Sequence, residues 1–273
     1  MHVQLLDMSL KEKEMAKLLA KADRQERFSA VMAYINADVS TILDLGCGIG
    51  ALTSQLAERF PSALVVGFDR SKHLLEKLAQ RGKSVLTVLG ELPYLPFEEN
   101  SFDLVVTMQV LHEIFHFRGI HALDRTLRNV HNSLKKKGKL IIFDHVNPGN
   151  TRISLELPEE MLQKLHEFQS KFKPRKITFS HLGKGRIETS MRDFYDFVTK
   201  IWALNSGLEE EEMSETHTPF TCQELVNLVQ EAGFEVTHTS RLTPIDRHLE
   251  YYGIALESAK KLPNRHIILQ AKK

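Results

Sequence analysis

With 273 residues, 42% of them hydrophobic, the chain can bury a full core in one large domain with an elaborated insertion. Its 36 Lys and Arg balance 35 Asp and Glu to a formal net charge of +1, which supplies no long-range pull toward nucleic acid or anionic lipid. Two cysteines make no disulfide framework, and no apolar run approaches the ~20 residues of a membrane span, so a cytoplasmic protein without nucleic-acid or membrane partners is expected.

The chain begins with a helical pattern. Ser9-Leu10-Lys11-Glu12 has the form of a capping box, and Met15, Leu18, Leu19 and Ala22, then Phe28, Val31, Met32 and Ile35, continue at helical spacing. Residues 1–38 are therefore expected to form a helical cover. Next, the apolar run Thr41-Ile42-Leu43 enters Asp44-Leu45-Gly46-Cys47-Gly48-Ile49-Gly50 and a helix opening at Ala51. Glycines at every second position allow a sharp turn and close approach of a ligand, and the helix behind them presents free N–H groups. Gly46-x-Gly48-x-x-Ala51 also fits the dinucleotide fingerprint, with Asp69 about twenty residues on, where a ribose-binding acid belongs.

From residue 39 to 146, short β-rich runs (42–45, 64–68, 85–89, 104–108 and 140–146) alternate with helical segments. That alternation predicts a parallel sheet with helices on both faces and a ligand at the carboxyl ends of the strands, where Asp44, Asp69, Glu91 and residues 108–112 fall. Residues 150–217 interrupt it with a helical stretch (159–172), a basic turn (171–176), a glycine loop (183–185) and an aromatic helix (191–204). They are expected to be a mainly helical insertion serving as a lid. After the acidic run 209–212, Thr221-Cys222-Gln223-Glu224 is a second capping box, 225–233 reads as helix, and 234–239 and 266–271 read as strands. The core is thus expected over 39–149 and 218–273.

The glycine turn, with an acid at Asp44 just before it, resembles motif I of the class I S-adenosylmethionine methyltransferases. The resemblance continues in order. Val65-Val66-Gly67-Phe68-Asp69-Arg70-Ser71 is similar to the second strand with its terminal acid, and Gly90-Glu91-Leu92-Pro93-Tyr94-Leu95-Pro96-Phe97 to the family's segment with Gly-Asp-Ala and Leu-Pro-Phe. Asn100-Ser101-Phe102-Asp103-Leu104-Val105-Val106 and Leu134-Lys135-Lys136-Lys137-Gly138-Lys139-Leu140-Ile141-Ile142-Phe143-Asp144 resemble strands four and five. The resemblance implies a Rossmann-like α/β fold: a seven-stranded, mostly parallel sheet with an antiparallel last strand. It also implies S-adenosyl-L-methionine as cofactor, S-adenosyl-L-homocysteine as product, and methyl transfer to a small-molecule acceptor.

Carried onto this sequence, the family's cofactor contacts fall on Asp44, Gly46, Cys47, Gly48, Gly50, Asp69, Arg70, Glu91, Leu92, Met108 and Gln109. Asp69 is expected to accept the ribose hydroxyls, and Glu91, one methylene longer than the family's Asp, the adenine amino group. Two other readings stay open: an NAD-dependent oxidoreductase using the same glycine turn, and a SAM-binding protein without turnover. An acid beside the loop suits an ammonium better than a pyrophosphate.

His112-Glu113-Ile114-Phe115-His116 matches the zinc-protease signature H-E-x-x-H. Residue 122 is Ala where the longer form of that motif requires His. The segment directly follows strand four, so it is expected to line the acceptor cleft without a metal; a non-proteolytic metal site through His112, His116 and His121 is the alternative. His112 is the first candidate general base and His145 the second. His116, Tyr195 and Trp202 are expected to contact the acceptor. The segment Thr107-Met108-Gln109-Val110 lacks the Asn/Asp-Pro-Pro-Tyr/Phe of enzymes that methylate amino groups on DNA, which favours a small acceptor.

Overall fold

The structure is a computed structural model that describes residues 25–35, 38–81, 85–257 and 261–273. It divides into two compact units, residues 1–38 and 39–273. In the first, residues 25–33 are helical. The capping box at Ser9 and the spacing from Met15 to Ala22 lie outside the described residues.

The second unit opens with β1 (Thr41–Leu45), α1 (Ala51–Arg59), β2 (Leu64–Asp69), α2 (Lys72–Ala79), β3 (Val85–Leu89), β4 (Phe102–Met108), α3 (Leu111–Ser133) and β5 (Leu134–His145). Then come β6 (Arg152–Glu156), α4 (Glu159–Lys171), β7 (Phe179–Gly183), β8 (Arg186–Ser190), α5 (Met191–Lys200), a 3₁₀ turn (Ile201–Ala203) and α6 (Glu209–Glu212). The chain returns through α7 (Cys222–Glu231), β9 (Glu235–Leu242), α8 (Asp246–Tyr252), β10 (Ala255–Leu256) and β11 (His266–Lys272).

Seven strands form one sheet in the order β3-β2-β1-β4-β5-β11-β9. The first five are parallel, and β11 runs antiparallel to both β5 and β9. Central strands are apolar on both faces, as a sheet covered by helices on each side requires: Ile42, Leu43, Val105 and Val106 are fully buried. Strand order reverses between β1 and β4, which opens a crevice at their carboxyl ends. At the opposite end, Asp103 ties the strands together. Its Oδ2 accepts from the backbone and side chain of both Ser40 and Thr41, and its Oδ1 from Lys135 Nζ at 2.9 Å. The capping box before α7 forms as its sequence requires: Glu224 N donates to Thr221 Oγ1 at 3.2 Å and Thr221 N to Glu224 Oε2 at 2.7 Å.

Beside the helices expected of it, the insertion carries strands that its sequence pattern did not announce. It holds three strands which, with β10, build a second, antiparallel sheet in the order β10-β6-β8-β7. The glycine loop is the turn of the β7–β8 hairpin, with Gly183, Lys184 and Gly185 all at positive φ. Helices α4 and α5 share with this sheet a core of its own that includes Leu155, Phe168, Ile187, Tyr195 and Phe197. The alternation of Ile187 and Thr189, buried between more exposed neighbours, is a strand signal too short to stand out against the helical periodicity around it.

Candidate active site

A cavity of about 670 Å³ opens at the carboxyl ends of β1, β2 and β4. Its floor is the glycine turn, and the three glycines divide their tasks. A Cβ on Gly46 would lie 2.4 Å from Val110 and one on Gly50 2.2 Å from Leu78, so both are required by packing. Around a Cβ on Gly48 there is nothing within 4 Å, which leaves its bare backbone facing open space. Gly48 adopts φ +54°, and its N–H donates to Asp69 Oδ2 at 2.8 Å. Asp69 Oδ1 accepts from Ser71 N at 2.8 Å. The carboxylate thus holds the turn against the start of α2.

Of the expected cofactor residues, Gly46, Gly48, Asp69, Arg70, Glu91, Leu92 and Gln109 line this cavity. Asp44, Cys47, Gly50 and Met108 stand behind that lining. Asp44 is buried and accepts from Thr53 Oγ1 at 2.6 Å, fastening the end of β1 to α1. Burial pushes its pKa up to about 6 against the hydrogen bond from Thr53. Burial also pushes the Cys47 thiol far up, which makes it an inert packing group. Glu91 pairs with Arg118 at the cavity rim. Gln109 has a left-handed backbone, φ 58°, uncommon for a residue with a side chain, and donates its N–H to Phe143 O at 2.7 Å.

Behind Gln109 lies a buried histidine cluster. Asp144, at the end of β5, accepts from Leu111 N at 2.8 Å, from His112 N at 3.4 Å and from His112 Nδ1 at 2.6 Å, so one carboxylate fixes both the start of α3 and the His112 ring. His145 stacks on His217 with ring centroids 3.9 Å apart and planes 6° from parallel, and both rings lie edge-on to His112. Gln109 Nε2 lies 2.8 Å from His145 Nε2. Burial works against a charged His112, yet the adjacent Asp144 outweighs it and holds the pKa up to about 9. The ring expected to act as a base therefore already carries its proton at neutral pH. His217 is pushed well below the ordinary value, first by burial.

The expected acceptor residues do not converge. His116 is half-buried beside Phe117, outside the cluster. Tyr195 is buried in the insertion's own core and donates its hydroxyl to Pro263 O, so its ring is unavailable as a pocket wall. Trp202 is 49% exposed and donates to Thr199 O at 2.9 Å. The insertion reaches the cavity through Glu211, which lies 3.8 Å from Arg70.

The segment from β1 to β5 also matches a known family: residues 43–142 fit the one described as a methyltransferase domain. Residues 43–142 thus carry the pattern of a methyltransferase domain. Among relatives of this methyltransferase domain, demethylmenaquinone methyltransferase of Thermotoga maritima is 29% identical over 48% of this chain, and the match spans about half of that protein, 55%. Malonyl-[acyl-carrier protein] O-methyltransferase of Priestia megaterium is 24% identical over 75% of this chain and 81% of that one. A solved S-adenosylmethionine-dependent methyltransferase from Mesorhizobium loti shares the fold at a TM-score of 0.56 and 19% identity, over 90% of this chain and 96% of its own.

Sequence reasoning missed Glu113 and His217 as site residues. Glu113 lines the cavity, and burial pushes its carboxyl up to about 7, partly offset by His112. The His-Glu-x-x-His motif had drawn notice to its histidines instead. His217 joins His112 and His145 from a segment far along the chain, after the whole of α4 to α6, and no local pattern announces that.

Proposed function

We propose that the chain transfers the methyl group of S-adenosylmethionine to a small-molecule acceptor. The observation that carries this reading is the cavity over the bare face of Gly48, with Asp69 and Glu91 on its β2–β3 side and Gln109 on its β4 side. Its charge suits the cofactor. Asp69, Glu91, Glu113 and Glu211 outnumber Arg70 and Arg118, which favours a cationic sulfonium and ammonium over the pyrophosphate of a dinucleotide.

Each residue has a definite task under this reading. The Asp69 oxygens each accept one backbone N–H and retain a lone pair for a ribose hydroxyl. Glu91 and the Leu92 backbone meet the adenine edge, Gly46 and Gly48 allow close approach along the turn, and Arg70 and Glu211 close the cavity from above. Asp44 and Gly50 keep the turn in shape from behind. When bound, S-adenosylmethionine supplies a methyl carbon already activated for in-line displacement, so positioning does much of the work. Gln109, Glu113, Ile114 and Phe117 offer the acceptor a wall that is polar at one end and apolar at the other. The relatives named for demethylmenaquinone and malonyl substrates support a small organic acceptor. The segment 209–217 acts as cover, consistent with Glu211 at the rim.

Calorimetry with S-adenosylmethionine, S-adenosylhomocysteine and NADH tests the reading. The two sulfur ligands should bind with one site per chain and NADH should not. Tight NADH binding with no response to S-adenosylmethionine would refute it, and S-adenosylhomocysteine release across a panel of quinols, phenols and carboxylic acids reads turnover and acceptor class.

A further inference from the structure

We propose that the three imidazoles of His112, His145 and His217 form a binding site for one zinc-class divalent metal ion. They come from three separate places, the first turn of α3, the end of β5 and the segment after α6, yet each presents a ring nitrogen within 4.8 Å of the others, with His112 and His145 buried and His217 partly so. Three imidazoles with an open fourth position are a donor set suited to zinc, and other members of the first transition row accept it as well.

The surroundings give two of the three rings the tautomer that ligation needs, and the His145 ring has to turn from its stack on His217 to join them. A ligating histidine usually donates its second ring N–H to a carboxylate or another fixed acceptor. His112 Nδ1 does so to Asp144 at 2.6 Å, which makes Nε2 the ligand atom once the metal displaces the proton it carries. His217 is fixed by a neighbour with a single proton to give. Thr199 Oγ1 donates that proton to Tyr195 O at 2.7 Å, so at its 3.0 Å contact with His217 Nδ1 it must accept. His217 Nδ1 therefore carries the hydrogen and Nε2 the lone pair.

That lone pair has no hydrogen-bond donor among the described residues, and Glu212 Oε2 and Glu215 Oε1 lie 3.7 and 3.8 Å from it. Lys200 does not fill the gap, because its three N–H groups go to Glu212 O, Glu212 Oε2 and Glu215 Oε1. A lone pair turned toward carboxylates is a repulsive arrangement that a cation between them relieves. This site is distinct from the one the His-Glu-x-x-His pattern suggests, since His116 is not among its ligands.

The test is metal binding by the full chain, stripped with chelator and titrated with Co²⁺ followed by displacement with Zn²⁺. One equivalent of Co²⁺ should produce visible d–d absorption that Zn²⁺ abolishes. His145→Ala and His217→Ala should each lower affinity at least tenfold, and His116→Ala should leave it within twofold. Thr199→Val keeps all three ligands but removes the partner of His217 Nδ1, and should weaken binding about 10–100-fold with the fold intact by circular dichroism. Absence of Co²⁺ absorption, binding that survives in His217→Ala, or binding lost in His116→Ala overturns the proposal. None of these outcomes depends on methyl transfer, so the metal site and the proposed function stand or fall separately.

Discussion

Replacing Asp69 by Ala separates two roles of one carboxylate. In the ligand-free chain it receives the N–H groups of Gly48 and Ser71, each at 2.8 Å, and both can turn to water because the cavity is open. The stability cost should therefore stay near the ordinary net value of a hydrogen bond, about 1 kcal/mol. Once the nucleoside is bound that water is excluded, and two ribose hydroxyls lose a charged acceptor inside a closed site. Leaving them without it costs about 1–3 kcal/mol, which is roughly a 5- to 150-fold rise in Kd for S-adenosylmethionine. S-adenosylhomocysteine carries the same ribose and should lose affinity by the same factor. Isothermal titration with both ligands, beside a urea unfolding curve of the free protein, reads the two roles independently. An unchanged Kd, or a loss confined to one of the two ligands, refutes the placement of the ribose against Asp69.

Three further outcomes follow from the geometry. Gly50→Ala places a methyl 2.2 Å from Leu78 at φ +72° and should destabilise the fold by about 2–5 kcal/mol, whereas Gly48→Val meets open space, should cost only the backbone strain of about 1–2 kcal/mol at φ +54°, and should abolish cofactor binding; thermal melts and calorimetry distinguish them. Lys200 is fully buried between Glu212 and Glu215, so Lys200→Ala leaves two carboxylates without their cation and should cost about 3–5 kcal/mol in urea unfolding. Desolvation acts against ionised Asp103, but its hydrogen bonds from Ser40, Thr41 and Lys135 prevail and hold its pKa below the ordinary carboxylate value. Its contribution is thus complete above about pH 4 and lost as the pH falls further. Asp103→Asn should be less stable than the parent at pH 7, and the gap should narrow in acid; a gap independent of pH would place the effect elsewhere.

The parallel half of the fold was legible because its strands are buried on both faces and read as apolar runs, and because glycines and acids mark their ends. Gly46, Gly48 and Asp69 could be assigned to the cavity from spacing alone. Asp44 and Gly50, equally marked, proved to support the turn from behind, a distinction that depends on Leu78 and Thr53 and so on tertiary packing. The aromatic helix misled in another way. Phe194, Tyr195 and Phe197 are as apolar as a pocket wall would be, but the second sheet that claims them is built from strands of five residues or fewer, too short to register against helical periodicity.

Strand β10 gives the chain an unusual kind of seam. Residues 255–256 follow β9 of the main sheet, yet they pair with Leu155 and Glu156 on the insertion before the chain returns to the main sheet as β11. The insertion is therefore stitched in at two places, and residues 150–217 are not an interchangeable module. A chimera that swaps only that segment for a relative's would remove β6, leave β10 without its partner and leave the incoming sheet with a bare edge. A graft that also carries residues 246–256 keeps the seam closed, and such paired exchange is the unit in which this part of the protein can be re-engineered or can diverge.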